Sequence, residues 1–201
     1  MEPHVEFLFA QLPLADFVRD YRDLPRFRTL CQACDNYGQC WSCPPYDFDE
    51  TVFLSPYVEA NLIGARVDVP QEARFCGDGE ACRRKGDALL RPLRALLDDA
   101  LLRLEQELPG GRAFYAGSCM RCPKGACRRR SGEPCVAPEK LRPSIEALGF
   151  DVERTASELL ATELRWGEPG RLPDYFVLVS GFFSAEPLGN LSERWNRVFV
   201  R

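Results

Sequence analysis

The apolar positions along this chain change period several times, and the changes divide it into elements. Residues 7–24 carry spaced apolar side chains (Phe7, Leu8, Leu12, Leu14, Phe17, Val18, Tyr21) punctuated by Pro13 and Pro25, which predicts a short helix near 14–22. Asn61–Val69 is rich in β-branched residues with partial alternation and reads as a strand closed by Pro70. From Leu89 to Leu108, leucine and alanine recur at three and four residues, the stripe of a long helix buried on one face. Pro109-Gly110-Gly111 stops it, and Pro92 inside the stripe marks either its start or a kink.

Arg112–Gly117 predicts a second strand. Pro138–Leu148 predicts a helix with Gly149 at its C′ position, and Asp151 is placed to cap a further helix over 152–164. Tyr175–Phe183, YFVLVSGFF, is the most apolar strand and is expected at the centre of a sheet. The tail from 184 to 201 ends in Val198-Phe199-Val200, read as one more short strand. The order implies an α/β or α+β fold: a single domain over 1–201, with a small sheet of three to four strands and packing helices. No internal repeat or low-complexity tract interrupts it.

Between these elements lie two loops dense in cysteine, over residues 31–50 and 117–142. The first reads Cys31-x2-Cys34-x5-Cys40-x2-Cys43-Pro44. The second reads Cys119-x2-Cys122-x4-Cys127-x7-Cys135-x2-Pro138. Cys76 and Cys82 fall outside both and read either as ordinary packed cysteines or as a ligand folded back onto the first site. The N-terminus is acidic, lacks a basic leader region and shows no apolar run of membrane-spanning length, so a cytoplasmic protein is expected. In a reducing compartment clustered cysteines are metal-binding or catalytic more often than disulfide-bonded. A net charge of −4 gives no general attraction to nucleic acid or to an anionic membrane.

The donor types narrow the metal. The chain has a single histidine, His4, so mixed Cys/His zinc sites, His/carboxylate di-metal sites and His-ligated haem lose support. Thiolate ligation leaves zinc or iron–sulfur. Zinc ribbons space their Cys-x2-Cys pairs widely, whereas iron–sulfur loops are compact and place proline after a ligand, as Cys43-Pro44 does. Two [4Fe–4S] clusters are therefore expected, held by Cys31, Cys34, Cys40 and Cys43 and by Cys119, Cys122, Cys127 and Cys135, with Zn2+ as the alternative. Cys40 is the open point: it is either the fourth ligand of the first site or a spare thiol beside a three-cysteine site.

Cys31-x2-Cys34-x2-Tyr37-Gly38-x2-Trp41-x-Cys43-Pro44-Pro45-Tyr46 resembles the signature of a cysteine-rich family of predicted metal-binding proteins (domain of unknown function 2284). Gly117-x-Cys119-x2-Cys122-x4-Cys127 and the stretch Cys135-x2-Pro138-x3-Arg142-Pro143-Ser144-x-Glu146-Ala147-x-Gly149-x-Asp151-Val152 extend the resemblance over most of residues 27–185. It implies an iron–sulfur or related metal protein of anaerobic metabolism, without implying a reaction. Its first motif has three regular cysteines, which makes Cys40 additional.

Charge separates the two loops. Residues 31–50 hold Asp35, Asp47, Asp49 and Glu50 and no basic residue. Residues 119–142 hold seven basic residues, Arg128-Arg129-Arg130 among them, against Glu133 and Glu139. The arginine run reads as a solvated loop or as a docking face for an acidic redox partner. Trp41 and Tyr46 are placed to shield the first site, and Arg142, Ser144 and Glu146 either line the second or begin a helix. No phosphate-binding glycine loop and no Ser–His–Asp arrangement is present. Three functions fit: an electron-transfer module serving a partner protein, an enzyme with a three-cysteine open site acting on a small molecule, and a zinc-stabilised binding protein.

Overall fold

The computed structural model describes residues 3–123 and 125–199. Four strands form one antiparallel sheet in the order β1-β2-β4-β3: β1 (Val5–Pro13), β2 (Glu59–Asp68), β3 (Arg112–Phe114) and β4 (Tyr175–Ser184). The fold is thus α+β. β2 and β4 pair along their full length, Glu59 opposite Ser184 and Asp68 opposite Tyr175, and both are flanked by other strands.

The side chains of the strands alternate between two cores. Ile63, Ala65 and Val67 of β2 and Phe182 of β4 point to one face. There they meet Leu93, Leu97, Ala100, Leu101 and Leu104 of α4 (Gly79–Glu107) and Leu191 and Trp195 of α6 (Leu191–Val198). Ala60, Leu62, Val179 and Phe183 point to the other, against Leu14 and Phe17 of α1 (Leu14–Tyr21) and the segment from Ile145 to Leu160. Phe17 stacks on Phe150 with ring centroids 4.4 Å apart. Side chains of this size each contribute about 1.5–3 kcal/mol when removed from water, whereas an exposed pair such as Arg19–Asp16 contributes about 0–1 kcal/mol. The two cores therefore hold the fold.

The predicted α1, β2, β3 and β4 are present, and β4 is an internal strand as expected. The long helix begins ten residues before Leu89: Asp78 caps it by accepting from Ala81 N–H, and it continues through Pro92. Its first ten residues hold five charged side chains, two glycines and no leucine, so the apolar stripe does not reach them. The expected helix over Pro138–Leu148 is two short 3-10 turns, Pro138–Lys140 and Glu146–Leu148. Pro143 separates them, because proline drives the residue before it toward extended backbone. The expected helix over 152–164 is shorter: α5 (Val152–Arg154), capped by Asp151, runs into a π-turn over Thr155–Leu159.

Val198 ends a helix rather than forming a strand. Trp195 and Val198 recur at helical spacing and seal the first core, with Phe199 packed against it; Val200 lies outside the described residues. Cys76 and Cys82 are bonded to each other, so neither is a ligand folded back onto the first site. Their bond ties the loop after β2 to the first turn of α4. Two further helices flank the first cysteine loop, α2 (Leu24–Gln32) and α3 (Glu50–Leu54). Among the described residues no helix is long and apolar enough to cross a membrane.

Gly149 joins the second core to α2. Its φ is +94°, and a Cβ there would stand 2.8 Å from the Cα of Leu24. Gly149→Ala is expected to cost about 1–3 kcal/mol through strain and overpacking. This lowers the melting temperature by roughly 2–4 °C per kcal/mol for a domain of this size. An unchanged melt would show that Leu24 moves aside freely.

Candidate metal centre

The first cysteine loop starts inside a helix. Asp23 caps α2 by accepting from Arg26 N–H, and Cys31 lies in the last turn of that helix. A chain of tight turns follows: Cys34 N–H donates to Cys31 O at 3.0 Å, Tyr37 N–H to Cys34 O at 3.0 Å and Cys43 N–H to Cys40 O at 3.0 Å. Gly38, at φ +66°, donates to Pro44 O at 2.8 Å and closes the loop across its own width. The Pro44–Pro45 peptide bond is cis. Tyr46 Oη donates to Ser42 O at 2.7 Å, and its ring stacks on Phe48, so Tyr46 packs the base of the loop. Asp49 then caps α3 through Thr51 and Val52 N–H.

The second loop is clamped at its base. Tyr115 N–H donates to Pro143 O at 3.0 Å and Tyr115 Oη to Lys140 O at 2.8 Å, so the segment leaving β3 binds the segment that closes the loop. Helix α4 supplies the side supports. Arg94 donates to Ser118 O at 2.8 Å, and Asp99 accepts from Arg121 at 2.7 Å. Glu105 forms a two-pronged ion pair with Arg142, whose side chain is 7% exposed. Arg142 thus anchors the loop from outside the cysteines rather than lining them. Ser144 accepts from Ala147 N–H and starts the 3-10 turn there. Burial raises Glu146 against the pull of Arg94.

The two loops meet. Arg129, the middle of the arginine run, donates to the carbonyls of Cys40, Cys43 and Pro45, and its guanidinium lies 5.0 Å from the centre of the Trp41 ring. Trp41 Nε1 donates back to Glu133 O at 3.0 Å. The buried Ser42 hydroxyl accepts from Cys119 N–H at 2.9 Å and lies 3.2 Å from Cys40 Sγ. Arg128 and Arg130 remain exposed, Arg128 facing Glu133 at 3.4 Å. Of the basic run, one residue is therefore a structural stitch and two are solvent-facing; Lys124 lies outside the described residues.

All eight cysteines named from the sequence are unbonded thiols. Among the described residues no three Cys, His, Asp or Glu side chains converge to hold a single metal ion. A cavity of about 360 Å3 opens between the loops, and four thiols line it: those of Cys40, Cys119, Cys122 and Cys127. Arg91, Arg94 and Arg130 share its wall. Cys31, Cys34, Cys43 and Cys135 lie outside it. His4 pairs instead with Asp68, at 3.2 Å.

The electrostatics differ from thiol to thiol. The Cys43 thiol, with Ser42 and Cys127, stabilises the Cys40 thiolate and lowers Cys40 to about 5, while Cys43 is raised by holding the proton the two share. Burial raises Cys119 to about 11 and also raises Cys31 and Cys122. A metal bound here must displace those protons, so loading releases acid and weakens at low pH. Asp98 of α4, buried behind the second loop, is raised to about 7 by loss of solvent against the pull of Arg94 and Arg121. The donor set itself, thiols without imidazole, fits a thiolate-ligated metal.

The family of predicted metal-binding proteins (DUF2284) matches residues 18–179, and the chain belongs to it. The matched span contains α2, both cysteine loops, α4 and the strands that carry them. No curated protein and no solved structure matches the chain. Spacing in the sequence singled out eight cysteines as candidates. It missed the supports, Ser42, Arg94 and Glu105, whose partners lie 24 to 77 residues away.

The Arg142–Glu105 pair is the support most shielded from water. Arg142→Met leaves a nearly buried carboxylate without its cation, and a loss of about 3–5 kcal/mol is expected. Chemical denaturation measures it; a variant within about 1 kcal/mol of the parent would show that Glu105 finds water or another partner.

Proposed function

We propose that this protein binds two iron–sulfur clusters in its paired cysteine loops and passes single electrons to a partner protein. The observation that carries the reading is the facing arrangement of the two loops, which brings four of the eight unbonded thiols around one cavity. Zinc held by four thiolates needs every sulfur about 2.3 Å from one point. A cavity of about 360 Å3 walled by thiols and arginines suits a larger, anionic group better. When bound, an iron–sulfur cluster supplies one-electron transfer, at a potential set by surrounding charge, hydrogen bonds and exposure.

The chain's own residues supply the tuning. Ser42 and the backbone N–H groups of the turns are donors near the sulfurs. Arg91, Arg94 and Arg130 place positive charge at the cavity wall, where it offsets that of thiolates. In the first loop Glu50 pairs with Arg28 and Asp49 caps α3, while Asp35 and Asp47 remain exposed. Arg128 and Arg130 on the outer surface form the basic contact for an acidic redox partner.

Anaerobic purification followed by iron and sulfide analysis and EPR tests the reading. About four iron and four sulfide per cluster, or about eight of each per chain, are expected. A colourless protein holding zinc overturns it. If iron is present, redox titration monitored by EPR is expected to show the centre beside the arginines reduced first, because positive charge stabilises the reduced, more anionic state. Equal potentials, or the opposite order, would remove the arginines from this role.

A further inference from the structure

The eight thiols divide four and four in the sequence, but the structure divides them differently. Cys40 is the one buried thiol among the eight, and it sits at the junction of the loops. It lines the cavity with Cys119, Cys122 and Cys127, while its sequence neighbour Cys43 and the sequence partner of the second set, Cys135, do not. The Ser42 hydroxyl lies between Cys40 Sγ, at 3.2 Å, and Cys119 N–H, at 2.9 Å. Because it accepts from Cys119 N–H, its own hydrogen is free to be donated to the Cys40 sulfur. Arg129 of the second loop holds the carbonyl of Cys40 at 2.9 Å and so fixes the backbone that carries this thiol.

We infer that Cys40, although carried on the first cysteine loop, is a ligand of the second centre, and that it completes a four-thiol set with Cys119, Cys122 and Cys127 around the cavity between the loops. Cys31, Cys34 and Cys43 then hold the first centre with three thiols, which leaves one coordination position there to a ligand from outside the chain. Cys135 stands beside the second centre without ligating it. Three cavity arginines balance the charge that four thiolates bring together. The assignment rests on the reading that these loops bind metal, but not on which metal they bind.

The test is thiol alkylation of the anaerobically purified protein, mapped by mass spectrometry before and after metal is stripped with a chelator. A buried thiol resists alkylation by itself, so only shielding that the chelator removes is counted. In Cys31→Ser/Cys34→Ser, which lacks the first centre, Cys40, Cys119, Cys122 and Cys127 are expected to be shielded, and Cys43 and Cys135 reactive. In Cys119→Ser/Cys122→Ser the shielding of Cys40 is expected to be lost, while Cys31, Cys34 and Cys43 keep theirs. The single variant Cys40→Ser, the mildest change, is expected to expose Cys119, Cys122 and Cys127 and to spare the first set.

Shielding of Cys135 in place of Cys40, or retention of shielding at Cys40 when Cys119 and Cys122 are gone, overturns the assignment. Metal analysis of the same samples separates the two claims. Zinc with the expected shielding sinks the iron–sulfur reading and keeps the ligand set. Iron with Cys135 shielded keeps the iron–sulfur reading and sinks the ligand set. A protein that holds no metal overturns both.

Discussion

Everything else in this molecule depends on burying both faces of the β2–β4 pair. Neither strand has a polar face to offer water, so each needs cover above and below. On one side α4 and α6 provide it, and the edge of α4 that is left over carries Arg94, Asp99 and Glu105. Those three groups hold the second cysteine loop at its two ends. On the other side α1 and the segment around Phe150 provide the cover. The backbone there is joined to the start of α2, through Asp23 N–H and Gly149 O, and α2 delivers Cys31. The two layers that seal the sheet are also the two arms that present the thiols.

That arrangement explains what was legible in the sequence. A helix covering an apolar sheet has a strong periodic stripe, and the stripe of α4 from Leu89 onward was plain. So was β4, whose side chains are apolar on both faces. β1 was not: Phe7, Leu8 and Phe9 are consecutive because the strand lies between two cores, and the run shows neither a period of two nor one of 3.6. α6 was missed, and its last residue Val198 was read with Phe199 as a strand because both are good strand residues; Leu191, Trp195 and Val198 show the helical spacing that won. Pro143 was present to be weighed against a helix over Pro138–Leu148, and its effect on the residue before it decided the outcome.

For the site, the sequence offered candidate donors but not the contacts between the loops that carry them. Thiol chemistry is a property of residue type, so scarcity of histidine and abundance of cysteine were enough to propose a sulfur-ligated metal. Which thiols share a centre is a property of three-dimensional contact. Ser42, Arg129 and Trp41 bring the two loops together through partners 77 to 92 residues away. The run Arg128-Arg129-Arg130 makes the same point. Its three residues look equivalent on paper, yet Arg129 is enclosed by three carbonyls and an indole while its neighbours face water.

The clasp formed by Arg129 also bears on engineering. Short peptides copied from a contiguous cysteine motif are a common way to build a minimal metal site. Here the carbonyls that Arg129 grips belong to a stretch of chain more than eighty residues upstream, and the hydroxyl beside Cys40 accepts a hydrogen bond from the opposite loop. Each loop therefore leans on the other as well as on its own turns. The smallest transplantable unit is the pair of loops with the length of α4 that spaces them, so a synthetic mimic has to be a folded miniature rather than a peptide.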